Sequence, residues 1–459
     1  MLQNNPSHQA INGYSAKRQG VVSSSNLLLL SFASAFFPRI LEAMGAPAPI
    51  NFLHFIVLPA ACGVVVTNSR SHNRHQLAIV KSIIFGLLIL FAIAIASALL
   101  NNAGMINAFL GIMILAEPFI LSAALLSIPF VPKTLNSFRK WVIGFGVTHV
   151  ALALVQKVGL DTGLLKHSAM TIEDNIQGVF YLSSGGHVVG ASASLAFGLY
   201  YYVSAKSVSL WIRVSMLLAV LGQIFFADAK QVIFVALVAW GLLIITKTTN
   251  IQATLKYIIA AVLVGYALYW CIYNVEIFSA YRTWIRPEIY GPNGDATMLK
   301  TAPLRIITAH YTSPLNWPLG LGPGHTIGRI GGWMIRDYWS LVGPLGATRN
   351  PVSEEVWAAW NGNYLDSSFF SPFWGWAGVW GDLGFLGLAG YISLWAIVWR
   401  KICKDDMSRF LVLNVIVNGF IFTLMEEPGF TLTSVMLVGL RWHELLIQEK
   451  SRKQKQLAI

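Results

Sequence analysis

Apolar runs of about 17 to 25 residues recur along the chain, each long enough to cross a hydrocarbon core as a helix. Lipid offers no water to an exposed amide, so segments of this kind must close their backbone hydrogen bonds internally. The runs fall near 23–43, 50–66, 78–100, 106–130, 141–158, 179–204, 209–227, 231–246, 257–275, 376–399, 409–425 and 430–446. Composition agrees, with 55% hydrophobic and 11% charged residues, which excludes a water-soluble globule. The expected fold is all-α: a polytopic integral membrane protein with about twelve transmembrane helices and one large external loop between spans 9 and 10.

The net charge of +12 does not point to nucleic acid, because the basic residues sit in short loops beside apolar runs, where they set orientation. Arg70, Arg74, Lys133, Arg139, Lys140, Lys206, Lys247, Lys256, Arg400, Lys401 and Lys404 all fall on one side, which is then the cytoplasm. The expected layout is a cytoplasmic tail (1–22), spans 1–9 (23–275), an external loop (276–375), spans 10–12 (376–446) and a basic cytoplasmic tail (447–459). The run near 23–37 reads as a retained signal anchor. Cys62, Cys271 and Cys403 form neither a disulfide framework nor a metal-ligand pattern, and no cofactor motif is expected elsewhere in the chain.

The polar stretch 274–369 is rich in Gly, Pro, Trp and charges of both signs, and long ordered loops tend to carry function. Arg282, Arg286 and Arg305 lie in its first third; a guanidinium suits a diphosphate because it is planar, permanently charged and able to hold two oxygens. An interfacial arginine such as Arg305 can equally snorkel toward headgroups. The segment Pro318-Leu319-Gly320-Leu321-Gly322-Pro323-Gly324-His325 could bring its backbone close to a ligand through Gly322 and Gly324, but no strand precedes it, so it is not a dinucleotide fingerprint.

Lys230 is squeezed between two apolar runs in Asp228-Ala229-Lys230, where it either pairs with Asp228 or contacts a phosphate. His325 and His310 are candidate bases, and His187, near the outer end of the sixth span, is a candidate pocket residue. Asp174 lies just before the sixth span and Asp382 at the start of the tenth, as pocket residues or helix-end caps. Tryptophans 284, 317, 333, 339, 357, 360, 374, 376 and 380 suit the headgroup level and can stack on sugar rings. Glu426 and Glu427 occupy a tight external turn.

Together these features resemble the O-antigen ligase and O-antigen polymerase superfamily of bacterial surface-polysaccharide enzymes. The resemblance rests on the span layout, the Asp228-Ala229-Lys230 turn, Arg305 followed by Pro318–Gly324, and Gly381-Asp382-Leu383-Gly384-Phe385-Leu386-Gly387. Asp174-Asn175-Ile176-Gln177-Gly178 is similar to a segment of exopolysaccharide polymerases, and coverage runs from about residue 140 to 400. The resemblance implies glycan transfer from undecaprenyl diphosphate to an acceptor hydroxyl at the outer face of the bacterial inner membrane, without a metal, with Lys230 and Arg305 on the diphosphate. It also implies membrane lipids, a chain-length regulator and a flippase as partners. The ligase signature carries a His-Asn pair shortly before the tenth span, whereas 366–371 here reads Asp-Ser-Ser-Phe-Phe-Ser, which favours a polymerase over a ligase and leaves the base open between His325, His187 and Asp366. Outside the enzyme class, a polysaccharide or lipid-carrier flippase is the competing reading; the non-loop charges lie at helix mouths on one side rather than along a path through the bilayer.

Overall fold

The computed structural model describes residues 23–69, 73–168, 170–183, 185–247, 251–365 and 370–457, and among these it is helical with no strand. Asp366 lies outside the described residues. The first four α-helices are α1 (Ser24–Phe36), the short α2 (Pro38–Ala43), α3 (His54–Asn68) and α4 (Arg74–Leu100). They are followed by α5 (Met105–Ser127), α6 (Pro132–Asp161), α7 (Gly186–Ser204), α8 (Leu210–Phe226), α9 (Lys230–Ile245) and α10 (Ile251–Asn274). After the polar stretch come α11 (Asp295–Ala309), α12 (Pro351–Trp360), α13 (Trp374–Ile397), α14 (Asp406–Asn418) and α15 (Pro428–Leu457).

Among the described residues, six helical segments are long and apolar enough to cross a membrane: Ala48–Asn68, Arg74–Leu100, Met105–Ser127, Pro132–Asp161, Trp374–Ile402 and Pro428–Gln456. The chain is an all-helical, multi-pass membrane protein. The expected spans 209–227, 231–246 and 257–275 form the apolar helices α8, α9 and α10. The first and eleventh runs are interrupted. Pro38, which cannot continue a hydrogen-bonded helix, starts α2 after Phe37, and α14 stops at Asn418, so its 13 residues reach only about 20 Å of the roughly 30 Å needed. The sixth run begins as tight turns at Gly178–Phe180 and becomes helical only at Gly186.

Helices α5 and α15 form the centre: 78% and 83% of their apolar windows are buried in the protein, against 28% for α4. They pack on each other; α3 and α4 also flank α5, α7 flanks α15, and α13 lies on α4. Phe119, Leu125, Leu432, Met436 and Leu440 fill the seam. Phe85, Leu88 and Leu99 on α4 and Leu263 and Tyr266 on α10 are exposed, as a lipid-facing surface requires.

The polar stretch is not a loose loop. Ile289, Leu299, Ile307, Val352, Val356 and Trp360 form a second core that closes against Trp374, Ala377 and Trp380 of α13. Helix α13 breaks at Gly384 (φ 64°, ψ −166°), which leaves the carbonyls before the break without their usual helical partners. The amides of Leu321 and Gly322 donate to the Gly381 and Asp382 carbonyls at 2.8 and 3.0 Å and replace them. This contact needs two glycines: a Cβ on Gly320 would lie 2.5 Å from the Asp382 backbone, and one on Gly384 2.3 Å from that of Pro318.

Candidate functional site

The segment leading into α7 is pinned from α6. Gln156 donates to the Gly178 carbonyl at 2.7 Å and accepts from the amides of Gln177 and Gly178, while His149 Nδ1 accepts from the Val179 amide at 3.1 Å. With its approach fixed this way, α7 presents His187 toward Asp174, Nε2 to Oδ1 3.4 Å, and His187 Nδ1 has no partner among the described residues.

The α8–α9 turn comes to the same place. Asp228 adopts φ +47°, a left-handed conformation that Asp tolerates, and this lets Lys230 begin α9 immediately. Lys230 Nζ lies 2.6 Å from Asp228 Oδ1. The Asp228 carboxylate acts electrostatically on both His187 and Tyr281. Burial, and secondarily Asp228, pushes the Tyr281 hydroxyl up to about 12. The Asp174–His187 and Asp228–Lys230 pairs are separate contacts, joined with Tyr281 into a polar cluster only through the reach of the Asp228 charge.

Below this cluster runs an apolar groove of about 510 Å³ between α9, α10 and the 276–290 segment, lined by Ile233, Phe234, Leu237, Leu268, Ile272 and Phe278. Lys230, Phe234 and Leu237 are spaced i, i+4, i+7, so the lysine shares its face of α9 with the groove wall. Tyr281, Tyr290 and Lys300 also line the groove. Lys300 Nζ donates to the Ser371 carbonyl at 3.2 Å and sits 5.7 Å from the centre of the Phe373 ring. Burial lowers its pKa to about 8. Two further apolar grooves, of about 450 and 710 Å³, reach instead to Lys247, which pairs with Asp406 as Lys230 does with Asp228, and to Arg400.

The remaining sequence candidates are distributed differently. Arg305 is exposed and donates to Thr301 Oγ1 at 2.9 Å and the Met298 carbonyl at 3.0 Å, all on its own helix. Arg282 donates to the Ile272 and Tyr273 carbonyls and caps α10, at the groove's edge. Arg286 is exposed, near Tyr364. No hydrogen bond or ion pair among the described residues joins Arg305 or Arg286 to the Lys230 cluster.

The glycine segment is anchored rather than open. Asp382 accepts from the amides of Gly324 (2.7 Å) and Thr326 (2.9 Å) and from the Thr326 hydroxyl. The Gly322 and Gly324 amides, which a phosphate loop would offer to ligand, are thus already donated to α13. His325 is buried with Nδ1 2.9 Å from the Leu321 carbonyl and Nε2 2.7 Å from Thr348 Oγ1, and burial lowers its pKa. Both ring nitrogens are occupied, so His325 locks the loop. His310 pairs with Glu355 at 2.9 Å.

Sequence reasoning missed Lys300, although a signal was present. Residues 296, 299, 302, 303 and 307 form the buried stripe of α11, and half-buried position 300 lies at the edge of that stripe, whereas 304 and 305 lie on the exposed face. Comparison with known proteins adds nothing to this geometry: no family model, no curated protein and no solved structure matches the chain.

Proposed function

We propose that this protein is a glycosyltransferase that polymerises undecaprenyl-diphosphate-linked repeat units at the outer face of the bacterial inner membrane, with about twelve spans and both termini cytoplasmic. The observation that carries this reading is the groove between α9 and α10, apolar along its length, with Lys300 in its lining and Lys230 on the same helix face. A polyprenyl tail fits the apolar length, and the two ammonium groups suit the diphosphate that follows it.

In the transfer, an acceptor hydroxyl attacks the anomeric carbon of the lipid-linked sugar and the bond from that carbon to the diphosphate oxygen breaks. The electron pair leaves with the diphosphate, and fixed cations in a water-poor site stabilise that developing charge. Lys230 and Lys300 fill this role. The hydroxyl proton goes to a base, and His187 is the candidate the geometry favours: Asp174 orients one nitrogen and the other is unpaired among the described residues. His325, with both nitrogens engaged, is not. Arg282 at the groove's edge suits the glycan side of the diphosphate, and Lys300 takes the part that the family resemblance implies for Arg305.

The test is to incubate protein in nanodiscs with a lipid-diphosphate-linked repeat unit and size the products on a gel. A ladder of lipid-linked chains is expected. Transfer only when a lipid or protein acceptor is added would mean a ligase, and no transfer in either case would overturn the enzyme reading.

A further inference from the structure

A second, polar cavity of about 220 Å³ lies on the other side of the first turn of α7, lined by Arg39, Arg329, Trp333, Asp337, Tyr338 and Glu427. Gly185 and Val189 line it too, whereas His187 between them turns to Asp174, so one helical turn borders both the cavity and the polar cluster. Its charges are built in pairs. The Arg329 guanidinium pairs with Glu427, and the Arg329 amide donates to Glu426 at 2.6 Å. Arg39 donates to Glu42 at 3.0 Å, and Asn51 holds Glu42 at 2.7 Å. Asp337 accepts from Arg336 at 3.0 Å, and the Arg336 guanidinium lies 3.6 Å from the centre of the Trp357 ring.

Among the residues facing the cavity, two cations are matched by two carboxylates. A phosphate entering it would meet Asp337 and Glu427 as well as the arginines, whereas a neutral ligand rich in hydroxyls finds donors and acceptors together. Trp333, edge-on to Trp357 with ring centres 4.5 Å apart, supplies a rigid aromatic wall. The volume falls below the roughly 300 Å³ at which pockets for drug-sized molecules begin, which suits one sugar ring rather than an oligosaccharide.

We infer that this cavity is a saccharide subsite that holds a terminal neutral sugar of the acceptor chain, set one helical turn from the polar cluster. The acceptor role rests on the glycosyltransferase reading; saccharide binding does not.

The experiment is saturation-transfer NMR on the full chain in nanodiscs, with the methyl glycosides of glucose, galactose, mannose and N-acetylglucosamine at millimolar concentration and inorganic pyrophosphate as competitor. At least one glycoside is expected to bind, to be undisturbed by pyrophosphate, and to lose at least about tenfold in affinity in Asp337→Asn and Arg39→Gln, as loss of a charge-assisted hydrogen bond implies. Asp337 is exposed, so its isosteric replacement leaves the fold intact. Binding of none of the four, displacement by pyrophosphate, or equal binding by both variants would overturn the subsite. Saccharide binding without transfer in the gel assay would leave the subsite standing and remove only its acceptor role.

Discussion

Asp382 on α13 accepts the amide hydrogens of Gly324 and Thr326, at 2.7 and 2.9 Å, and so ties the glycine segment of the polar region to a broken membrane helix. The 318–324 and 381–387 segments are thus one structural joint. Loops fill the hydrogen bonds that the helix break leaves open, and the helix orients the loops.

Replacing Asp382 with Ala is therefore expected to unfold the joint. Each orphaned donor costs about 1–3 kcal/mol, and Gly324, Thr326 and the Thr326 hydroxyl would all lose their acceptor. Thermal unfolding of the purified variant should show a clear drop. Unchanged unfolding with lost transfer would instead make Asp382 a group that touches substrate.

His187 and His325 should part company in the same way. His187→Ala is expected to reduce transfer at least about 100-fold, the lower range for a lost general base, while the protein stays folded. His325→Ala should lower thermal stability, because it vacates the bridge between Leu321 and Thr348. Wild-type transfer by His187→Ala would return the base to Asp366.

Lysine and arginine divide along the two faces of α11. Lys300→Gln should lower transfer by about 100-fold or more, in the range seen when a fixed oxyanion donor is lost. Arg305→Ala, which breaks only contacts within its own helix, should lower it less than about tenfold, a loss worth about 1.4 kcal/mol. Initial rates of chain extension measure both. The reverse order would put the diphosphate on the exposed face of α11.

The pH dependence follows from Lys300. Its folded-state pKa of about 8 lies below the roughly 10.4 of a free lysine. Between those values the unfolded chain binds the extra proton, so this group makes stability rise with pH from about 8 to about 10.4. Binding of an anionic lipid needs the ammonium and should weaken as pH passes about 8. Lys300→Arg should abolish that alkaline loss, and a binding curve that is flat to pH 9 in the wild type would contradict it.

Much of this fold is legible in the sequence because lipid forces long apolar runs to be helices, and six expected spans emerge at full length. The polar cluster is legible for a related reason: Asp174, His187 and Lys230 are ionisable groups at helix ends, where burial without purpose is costly. What is hidden depends on contacts between distant segments. Nothing local tells that the Gly324 amide meets Asp382, or that Arg39 and Arg329 share a cavity. Lys300 was distinguishable from Arg305 only through the phase of the α11 stripe, which Pro303 within the helix obscures.

The most direct measurement is photolabelling with a polyprenyl diphosphate that carries a photoreactive group in its tail, followed by peptide mapping. Label is expected on α9 and α10, around 233–237 and 268–272, and should fall in Lys300→Gln and Lys230→Gln. Label confined to the groove at Lys247 and Asp406 or to the one at Trp376 and Arg400, and indifferent to both lysines, would contradict the assignment of the α9–α10 groove to the lipid diphosphate.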